Sequence, residues 1–142
     1  MKTTIAILAS LAAASSLAFA GEYPDITIKE LDKAIKDKKV TVIDVNGSES
    51  YQNGHIPTAL DFTAVKDKIA DKLPKDKNAL VVAYCGGPSC QAYQAAAKVA
   101  EELGYKNVKH LSAGISGWLQ AGMKTEKPAA EKAAEKEDKK PA

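Results

Sequence analysis

"LVVAYCGGPSCQAYQAAAKVAEELGY", residues 80–105, is the stretch of sequence that decides the fold. An apolar, β-branched run leads into Cys85, and an alanine-rich run of helical composition extends from Gln91 to Leu103. Gly104 follows the last helical turn, where a glycine commonly ends a helix. A strand that passes through a short glycine-containing loop into a helix is typical of an α/β domain with a parallel sheet.

Segments on both sides of this stretch continue the α/β pattern. "VTVIDV", residues 40–45, has the β-branched composition of a buried strand, and "NVKHL", residues 107–111, predicts another strand. Between the predicted strand at residues 40–45 and the strand that leads into Cys85, Val65, Ile69 and Leu73 recur every four residues and predict an amphipathic helix. The alternation of strands and helices therefore predicts one α/β domain with a mostly parallel sheet.

The two ends of the 142-residue chain differ from this domain in composition. Residues 1–20 contain one positive charge, an apolar stretch and a final Ala-Phe-Ala, which predicts a signal peptide that is cleaved on export to a bacterial periplasm. Residues 124–142 consist mostly of Lys, Glu, Ala and Pro and predict a disordered tail. We therefore expect a folded domain over residues 21–123 that has no membrane attachment once the signal is cleaved.

The charged residues narrow the classes of partner. A formal net charge of +2 indicates no strong attraction to nucleic acid or to a membrane surface. All 20 basic residues are lysine, so the chain has no arginine that could clamp a phosphate or a carboxylate in bidentate fashion. Nothing in the sequence predicts a large apolar interface, and we expect a monomer.

The chain has two cysteines, and both lie in the short loop at Cys85 and Cys90. This loop follows the carboxyl end of a predicted parallel strand, where functional groups gather in open α/β sheets. It also precedes a helix N-terminus, where backbone N–H groups favour an anion and lower the pKa of a thiol. The loop backbone is therefore a candidate binding site for an anionic sulfur, and its residues are Gly86, Gly87, Pro88, Ser89, Cys90 and Gln91.

Three functions remain open for the two thiols when the loop is considered alone. Cys85 can be a nucleophile, the pair can be a structural disulfide of an exported protein, or the thiols can be inert or metal-binding. A gap of four residues does not match the usual zinc-binding spacing, and only His55 and His110 could complete such a site. We therefore expect no resident metal, and we interpret His110 as a surface residue.

Two segments in order carry a resemblance to a known family. "VIDVNGSESYQNGHIPTALDF", residues 42–62, and "VVAYCGGPSCQAYQAAAKVAEELGYKNVKHLSAGISGW", residues 81–118, resemble the two signatures of the single-domain rhodanese-like sulfurtransferases, here in an exported form. The resemblance covers nearly all of residues 26–123. It implies a five-stranded, mostly parallel sheet with helices on both faces, and it assigns Cys85 to the position that carries sulfane sulfur as a persulfide.

The sequence departs from that family at positions that bind charge. Asn46 stands where an arginine is common, and Gly86 and Cys90 stand where relatives often have larger or charged residues. An anionic donor such as thiosulfate would lose those charged clamps. A related branch of the fold hydrolyses phosphate esters with a longer loop that ends in arginine, and the absence of any arginine excludes a phosphatase here.

The resemblance implies a mechanism that needs no cofactor. Cys85 would take sulfur from a small donor and pass it to a thiol or to cyanide, with Cys90 as a candidate resolving thiol or disulfide partner. Asp44 is expected to accept N–H bonds from a neighbouring loop, and His55 is expected to fix the Gly-His-Ile-Pro turn. Two alternatives stay open: a non-catalytic or redox dithiol module on the same scaffold, and capture of a thiophilic metal ion by the two thiols.

Overall fold

The computed structural model describes residues 23–128 as a parallel sheet with helices on both faces. The predicted signal peptide and most of the predicted tail lie outside the described residues. In chain order the elements are α1 (Ile28–Lys36), β1 (Val40–Asp44), α2 (Ser48–Asn53), β2 (Leu60–Asp61), α3 (Phe62–Val65), a 3₁₀ turn (Lys66–Lys68), α4 (Ile69–Lys72), β3 (Leu80–Tyr84), α5 (Tyr93–Glu102), β4 (Asn107–His110) and α6 (Gly114–Gln120). None of the helices in residues 23–128 is long and apolar enough to cross a membrane.

The sheet has the order β2-β1-β3-β4, and every neighbouring pair is parallel. The described residues contain four strands rather than the five that the resemblance implies. A single bridge between Asp25 and His110 occupies the edge beside β4. Pro24 has no N–H to donate there, and Thr27 already caps α1, so the chain leaves the sheet before a fifth strand can form.

Between β2 and β3, the amphipathic helix predicted from Val65, Ile69 and Leu73 is divided. The 3₁₀ turn at Lys66–Lys68 separates two short helices, α3 and α4. Ile69 and Leu73 nevertheless reach the core, whereas Val65 is only partly buried against it. The apolar spacing therefore identified which residues face the core, although it did not predict the interruption.

Two separate cores cover the two faces of the sheet because successive side chains of a strand point to opposite sides. One core places Ala83 and Cys85 against α5, whose small buried side chains (Ala96, Ala97 and Ala100) let the helix lie close to the sheet. The other core places Tyr84 against Trp118 and Leu31. The adjacent residues Tyr84 and Cys85 thus belong to opposite cores.

Residues 124–126, which we call the C-terminal segment, pack against the domain. The backbone N–H groups of His55 and Glu126 each donate to the other residue's carbonyl oxygen, at 2.9 and 2.8 Å. The buried indole of Trp118 donates its Nε1–H to the carbonyl oxygen of Lys124 at 2.9 Å, as a buried tryptophan needs an acceptor. The fold therefore extends beyond residue 123, where the sequence analysis had ended the domain.

Candidate active site

The cysteine loop, residues 85–91, joins the carboxyl end of β3 to the turn that precedes α5. Cys90 donates its backbone N–H to the carbonyl oxygen of Gly87 at 3.0 Å, which closes a tight turn. A helical turn begins at Gln91, whose carbonyl oxygen accepts from Gln94 N at 3.1 Å, and α5 itself starts at Tyr93. The strand, loop and helix thus follow one another as the sequence predicted.

Helix α6 holds the cysteine loop from its other side. Ile115 N donates to the carbonyl oxygen of Cys85 at 2.9 Å, and Ser116 N donates to that of Gly86 at 3.0 Å. Gly114 has φ +60°, and a Cβ there would lie 2.5 Å from Gly87 N and 2.6 Å from Cys85 O. Only glycine lets α6 approach the loop this closely. Gly114 lies within the second family signature, residues 81–118, but its contact with the loop joins positions that are far apart in the sequence.

The two cysteines are joined in a disulfide between Cys85 and Cys90. Their Cα atoms lie 6.3 Å apart, within the range of about 4.4–6.8 Å that bridged residues normally adopt. Cys85 is only 3% exposed and belongs to the core beneath α5, whereas Cys90 is half-buried at the edge of that core. The structure therefore shows the oxidised form of the loop.

A pocket of about 280 Å³ opens beside the disulfide. Its lining residues come from the cysteine loop, from the start of α5, from the end of β4 and from the first described residues of the chain. They are Tyr23, Cys85, Gly87, Pro88, Cys90, Gln91, Tyr93, His110, Leu111 and Ser112. Five of the predicted loop residues, the two cysteines included, therefore face one cavity. Gly86 and Ser89, which the sequence analysis also named, do not line it.

His110 is half-buried and forms part of the pocket wall, so this histidine lies at the surface within the candidate site. Its ring stacks on that of Tyr93, with the centroids 4.1 Å apart and the planes 9° from parallel. Nδ1 lies 2.9 Å from the carbonyl oxygen of Tyr23, and because a carbonyl only accepts, Nδ1 is the donor. The position of His110 at the carboxyl end of a strand beside β3 was the signal that could have identified it from sequence.

Asp44 lies outside the pocket, in a network of buried polar groups. Its side chain is 1% exposed, and its Oδ1 accepts from the backbone N and the Nδ2 of Asn46, at 2.8 and 2.9 Å. Its Oδ2 accepts from the hydroxyl of Tyr84, which in turn accepts from Ile56 N at 3.0 Å. Burial, followed by the nearby Asp44 carboxylate, raises the pKa of Tyr84 far above its ordinary value. Asp44 thus holds the backbone at Asn46 and does not touch the cavity.

His55 also lies outside the pocket, in a turn that the C-terminal segment covers. It is 4% exposed, its ring stacks on Tyr51 with centroids 3.7 Å apart, and its Nδ1 donates to the carbonyl oxygen of Tyr51 at 2.9 Å. No group of three or more His, Cys, Asp or Glu side chains among residues 23–128 is arranged to hold a metal ion. The structure therefore separates His55 and Asp44 from the two cysteines.

The family model described as rhodanese-like domain matches residues 27–121 of the chain. A thiosulfate sulfurtransferase of Coxiella burnetii is 31% identical over 97 residues, which cover 68% of this chain and 87% of that protein. An HTH-type transcriptional regulator of Mycobacterium tuberculosis is 34% identical over 118 residues, which cover 82% of this chain but only 50% of the regulator. The chain thus spans half the length of that relative.

Among solved structures, a protein from Bacillus halodurans matches 74% of this chain and 77% of its own, with a TM-score of 0.56 and 31% sequence identity. A thiosulfate sulfurtransferase from Pseudomonas aeruginosa matches 75% of this chain and 20% of its own, with a TM-score of 0.60 and 24% identity. The second likeness shows the shared fold alone.

Proposed function

Because the chain belongs to the rhodanese-like domain family, we propose that it is a sulfurtransferase that carries sulfane sulfur as a persulfide on Cys85. The observation that carries the proposal is the position of Cys85, which follows β3 directly and lines the pocket at the carboxyl edge of the sheet. The similarity to a protein named thiosulfate sulfurtransferase supports the same reaction class.

The proposed reaction starts from the reduced loop. The Cys85 thiolate attacks the outer sulfur of the donor, and the bond between that sulfur and the rest of the donor breaks. The leaving group departs with the electron pair, as sulfite when the donor is thiosulfate. The acceptor, a thiolate or cyanide, then attacks the outer sulfur of the persulfide and releases the Cys85 thiolate again. Each half of the cycle exchanges one bond to sulfur for another, so no cofactor is needed.

Cys90 is proposed as an internal resolving thiol. Its thiolate attacks the inner sulfur of the Cys85 persulfide, forms the Cys85–Cys90 disulfide and expels hydrosulfide. The Cα–Cα distance of 6.3 Å is compatible with the product of that step. A reductant must then open the disulfide before Cys85 can accept sulfur again.

The pocket walls favour donors that carry little negative charge. Among the described residues that line the pocket, His110 is the basic side chain, and neither lysine nor arginine contributes. A dianion such as thiosulfate would therefore find no strong cationic partner at the walls. We propose that small organic persulfides, which carry a single negative charge on the sulfane sulfur, load Cys85 more efficiently than the thiosulfate dianion does.

The remaining parts of the proposal concern location and assembly. The composition of residues 1–20 supports export to a bacterial periplasm with cleavage of the signal. We propose that the mature protein acts as a monomer on small sulfur compounds and binds neither nucleic acid nor membranes. Fractionation of cells that express the full chain, with N-terminal sequencing of the product, tests this part: an uncleaved product in the cytoplasm would contradict it.

The reaction itself is tested by weighing the reduced protein intact after incubation with polysulfide or thiosulfate. We expect a gain of one sulfur atom that is lost on treatment with cyanide, and we expect no gain in the Cys85→Ser variant. Cys90→Ser is the matched control, because it removes the other thiol of the same loop and should retain the adduct. If neither the reduced wild-type protein nor the reduced Cys90→Ser variant gains sulfur from either donor at any time, the proposed function is wrong.

A further inference from the structure

The two sulfur atoms of the disulfide differ in accessibility. Cys85 is 3% exposed and packs in the core with Ala83 and Tyr93, whereas Cys90 is half-buried. The residues that precede Cys90 in the loop, Pro88 and Ser89, are exposed. One end of the disulfide therefore lies in the protein interior and the other lies near solvent.

Access decides which sulfur of a disulfide an incoming thiolate attacks. An attacker of Cys85 would have to reach, through the pocket, a residue that is only 3% exposed and packs in the core beneath α5. An attacker of Cys90 approaches over the exposed part of the loop. The asymmetry of burial thus makes the two sulfur atoms chemically different, although they share one bond.

We propose that the protein undergoes thiol–disulfide exchange with a dithiol reductant and that the reductant bonds to Cys90. In the first step a thiolate of the reductant attacks Cys90 Sγ. A bond forms between these two sulfur atoms, the Cys85–Cys90 bond breaks, and its electron pair leaves with Cys85 Sγ as a thiolate. In the second step the other thiolate of the reductant attacks its own sulfur in the mixed disulfide. Cys90 departs as a thiolate and takes a proton from water, and the reductant ends as a disulfide.

This route releases Cys85 before the reductant has left. Cys85 becomes a thiolate in the wall of the pocket while Cys90 is bonded to the reductant, and the second thiolate of the reductant must release Cys90 before Cys85 attacks it and closes the disulfide again. The exchange involves no sulfane sulfur and stands independently of the proposed sulfur transfer. Its consequence is an order of events in which the partner always bonds to Cys90, and the thiol of Cys85 never does.

The walls around the disulfide also indicate the chemistry of the reductant. Within residues 23–128, the pocket lining includes neither a carboxylate nor a lysine, and it includes the rings of Tyr23, Tyr93 and His110, in which Tyr93 contacts the other two. A neutral, partly apolar segment that presents a cysteine suits such walls better than a highly charged one. We therefore assign the reductant as a dithiol protein with a neutral surface around its exposed thiol.

The experiment uses glutathione as a monothiol probe, because it can complete the first step but has no second thiol for the next. The oxidised mature protein is mixed with glutathione, quenched with N-ethylmaleimide and digested with trypsin. Both cysteines lie in the peptide of residues 78–98, in which fragmentation distinguishes the two positions. We expect glutathione on Cys90 and maleimide on Cys85, in roughly tenfold excess over the reverse arrangement.

Glutathione mainly on Cys85, or in equal amounts on both, would overturn the proposal. So would resistance of the disulfide to glutathione at concentrations that open an exposed reference disulfide. A variant pair provides an independent measure: Ser89→Glu puts a negative charge beside Cys90 and should slow attack by anionic glutathione several-fold. Ser50→Glu makes the same change at an exposed site in α2 and should leave the rate within about twofold. Equal rates in the two variants would contradict attack at Cys90.

The result is distinguishable from a failure of sulfur transfer. No sulfur donor is present in the glutathione experiment, so its outcome depends only on the disulfide. A protein that gains no sulfur in the loading experiment and still forms the Cys90 adduct would contradict the proposed function alone. A protein that loads sulfur on Cys85 but forms the adduct on Cys85 would contradict the exchange alone.

Discussion

The cysteine loop and the histidine turn, residues 54–57, both come from segments that carry the family signatures, yet they differ in how their polar groups are used. The histidine turn is closed: His55 is paired with Tyr51 on one side and with Glu126 on the other. The cysteine loop is open on one side, where Cys85 and Cys90 face the pocket. One signature therefore contains the candidate reactive site, the cysteine loop, and the other contains the histidine turn, whose polar groups hold the fold together.

The difference lies in what surrounds each region. Around the turn, Ile56 N donates to the Tyr84 hydroxyl, which donates to Asp44, so these three groups form a chain of buried hydrogen bonds. Around the loop, helix α6 satisfies the carbonyl oxygens of Cys85 and Gly86 from one side only. Buried polar groups that bond to one another hold a turn in place, whereas a loop that is held from one side only stays accessible from the other.

The two regions are nevertheless connected. Tyr84 and Cys85 are consecutive, so the hydroxyl that joins Asp44 to Ile56 belongs to the residue just before the candidate nucleophile. Asn46, which donates to Asp44, lies beside the loop, because a Cβ on Gly86 would be 3.8 Å from its Oδ1. The hydrogen-bonded network of Asp44, Tyr84 and Ile56 thus supports the backbone from which the cysteine loop starts. Four changes test this division of roles.

The largest effect on stability is expected from Gly114→Ala, at the contact between α6 and the cysteine loop. The new methyl group would fall 2.5 Å from Gly87 N, at a residue whose φ of +60° already disfavours a side chain. We expect a loss of about 3–4 kcal/mol in the free energy of unfolding and no sulfur loading of the protein that still folds. Urea unfolding and intact mass measure the two effects.

Gly122→Ala is the matched control for this change. Its φ of +73° gives a similar backbone penalty, but a Cβ there meets no atom within 4 Å. We expect it to cost about 1 kcal/mol and to leave sulfur loading intact. Equal effects of the two alanines would show that the contact between α6 and the loop has no special role.

The second-largest effect is expected from Tyr84→Phe, in the hydrogen-bonded network that joins Asp44 to Ile56 of the histidine turn. Loss of the hydroxyl leaves Ile56 N without its acceptor and one buried oxygen of Asp44 without its donor. We expect a loss of about 2–3 kcal/mol, with sulfur loading per folded molecule unchanged. Tyr51→Phe removes a half-buried bond to the Ala59 carbonyl and should cost about 1 kcal/mol. A selective loss of loading in Tyr84→Phe would mean that the closed network takes part in the chemistry.

The third-largest effect is expected from removal of the C-terminal segment, residues 124–126, which packs over the histidine turn. A chain that ends at Met123 loses the two backbone hydrogen bonds between His55 and Glu126 and the acceptor of the Trp118 indole. We expect this truncation to cost about 1–2 kcal/mol, measured by urea unfolding. A chain that ends at Pro128 keeps these contacts and serves as the control. If both truncated chains are as stable as the full chain, the C-terminal segment is not part of the closed region.

The smallest effect is expected at the pocket rim. Burial, together with the hydrogen bond from its hydroxyl to the Glu101 carboxylate, raises the pKa of Tyr23 to about 12. The unfolded phenol loses its proton near pH 10, so between about pH 10 and pH 12 the folded state keeps a proton that the unfolded state has lost. This contribution to stability is present below pH 10 and is lost as the pH rises through 12. Tyr23→Phe should therefore flatten the decline of the free energy of unfolding above pH 10 and cost less than about 1 kcal/mol at pH 8. An unchanged slope would contradict the assignment.

Local patterns predicted the elements that position the site. The β-branched runs identified β1 and β3, the segment NVKHL identified β4, and the alanine-rich run identified α5, because these elements bury faces of regular period. The position of Cys85 at the carboxyl edge of the sheet followed from the predictions of β3 and α5. The pocket role of His110 and the attachment of Glu126 were missed, because each depends on contacts between segments far apart in the chain. The state of the Cys85–Cys90 pair was left open, since spacing alone does not fix the distance between two cysteines.

The central claim is that Cys85 holds sulfane sulfur, and the most direct test is a time course of intact mass on the reduced Cys90→Ser variant with polysulfide. Without its resolving thiol, the variant should accumulate one added sulfur on Cys85, while the wild-type protein should lose the same adduct, release sulfide and end as the disulfide. An added sulfur at any other residue, or no adduct in the variant throughout the time course, would contradict the account.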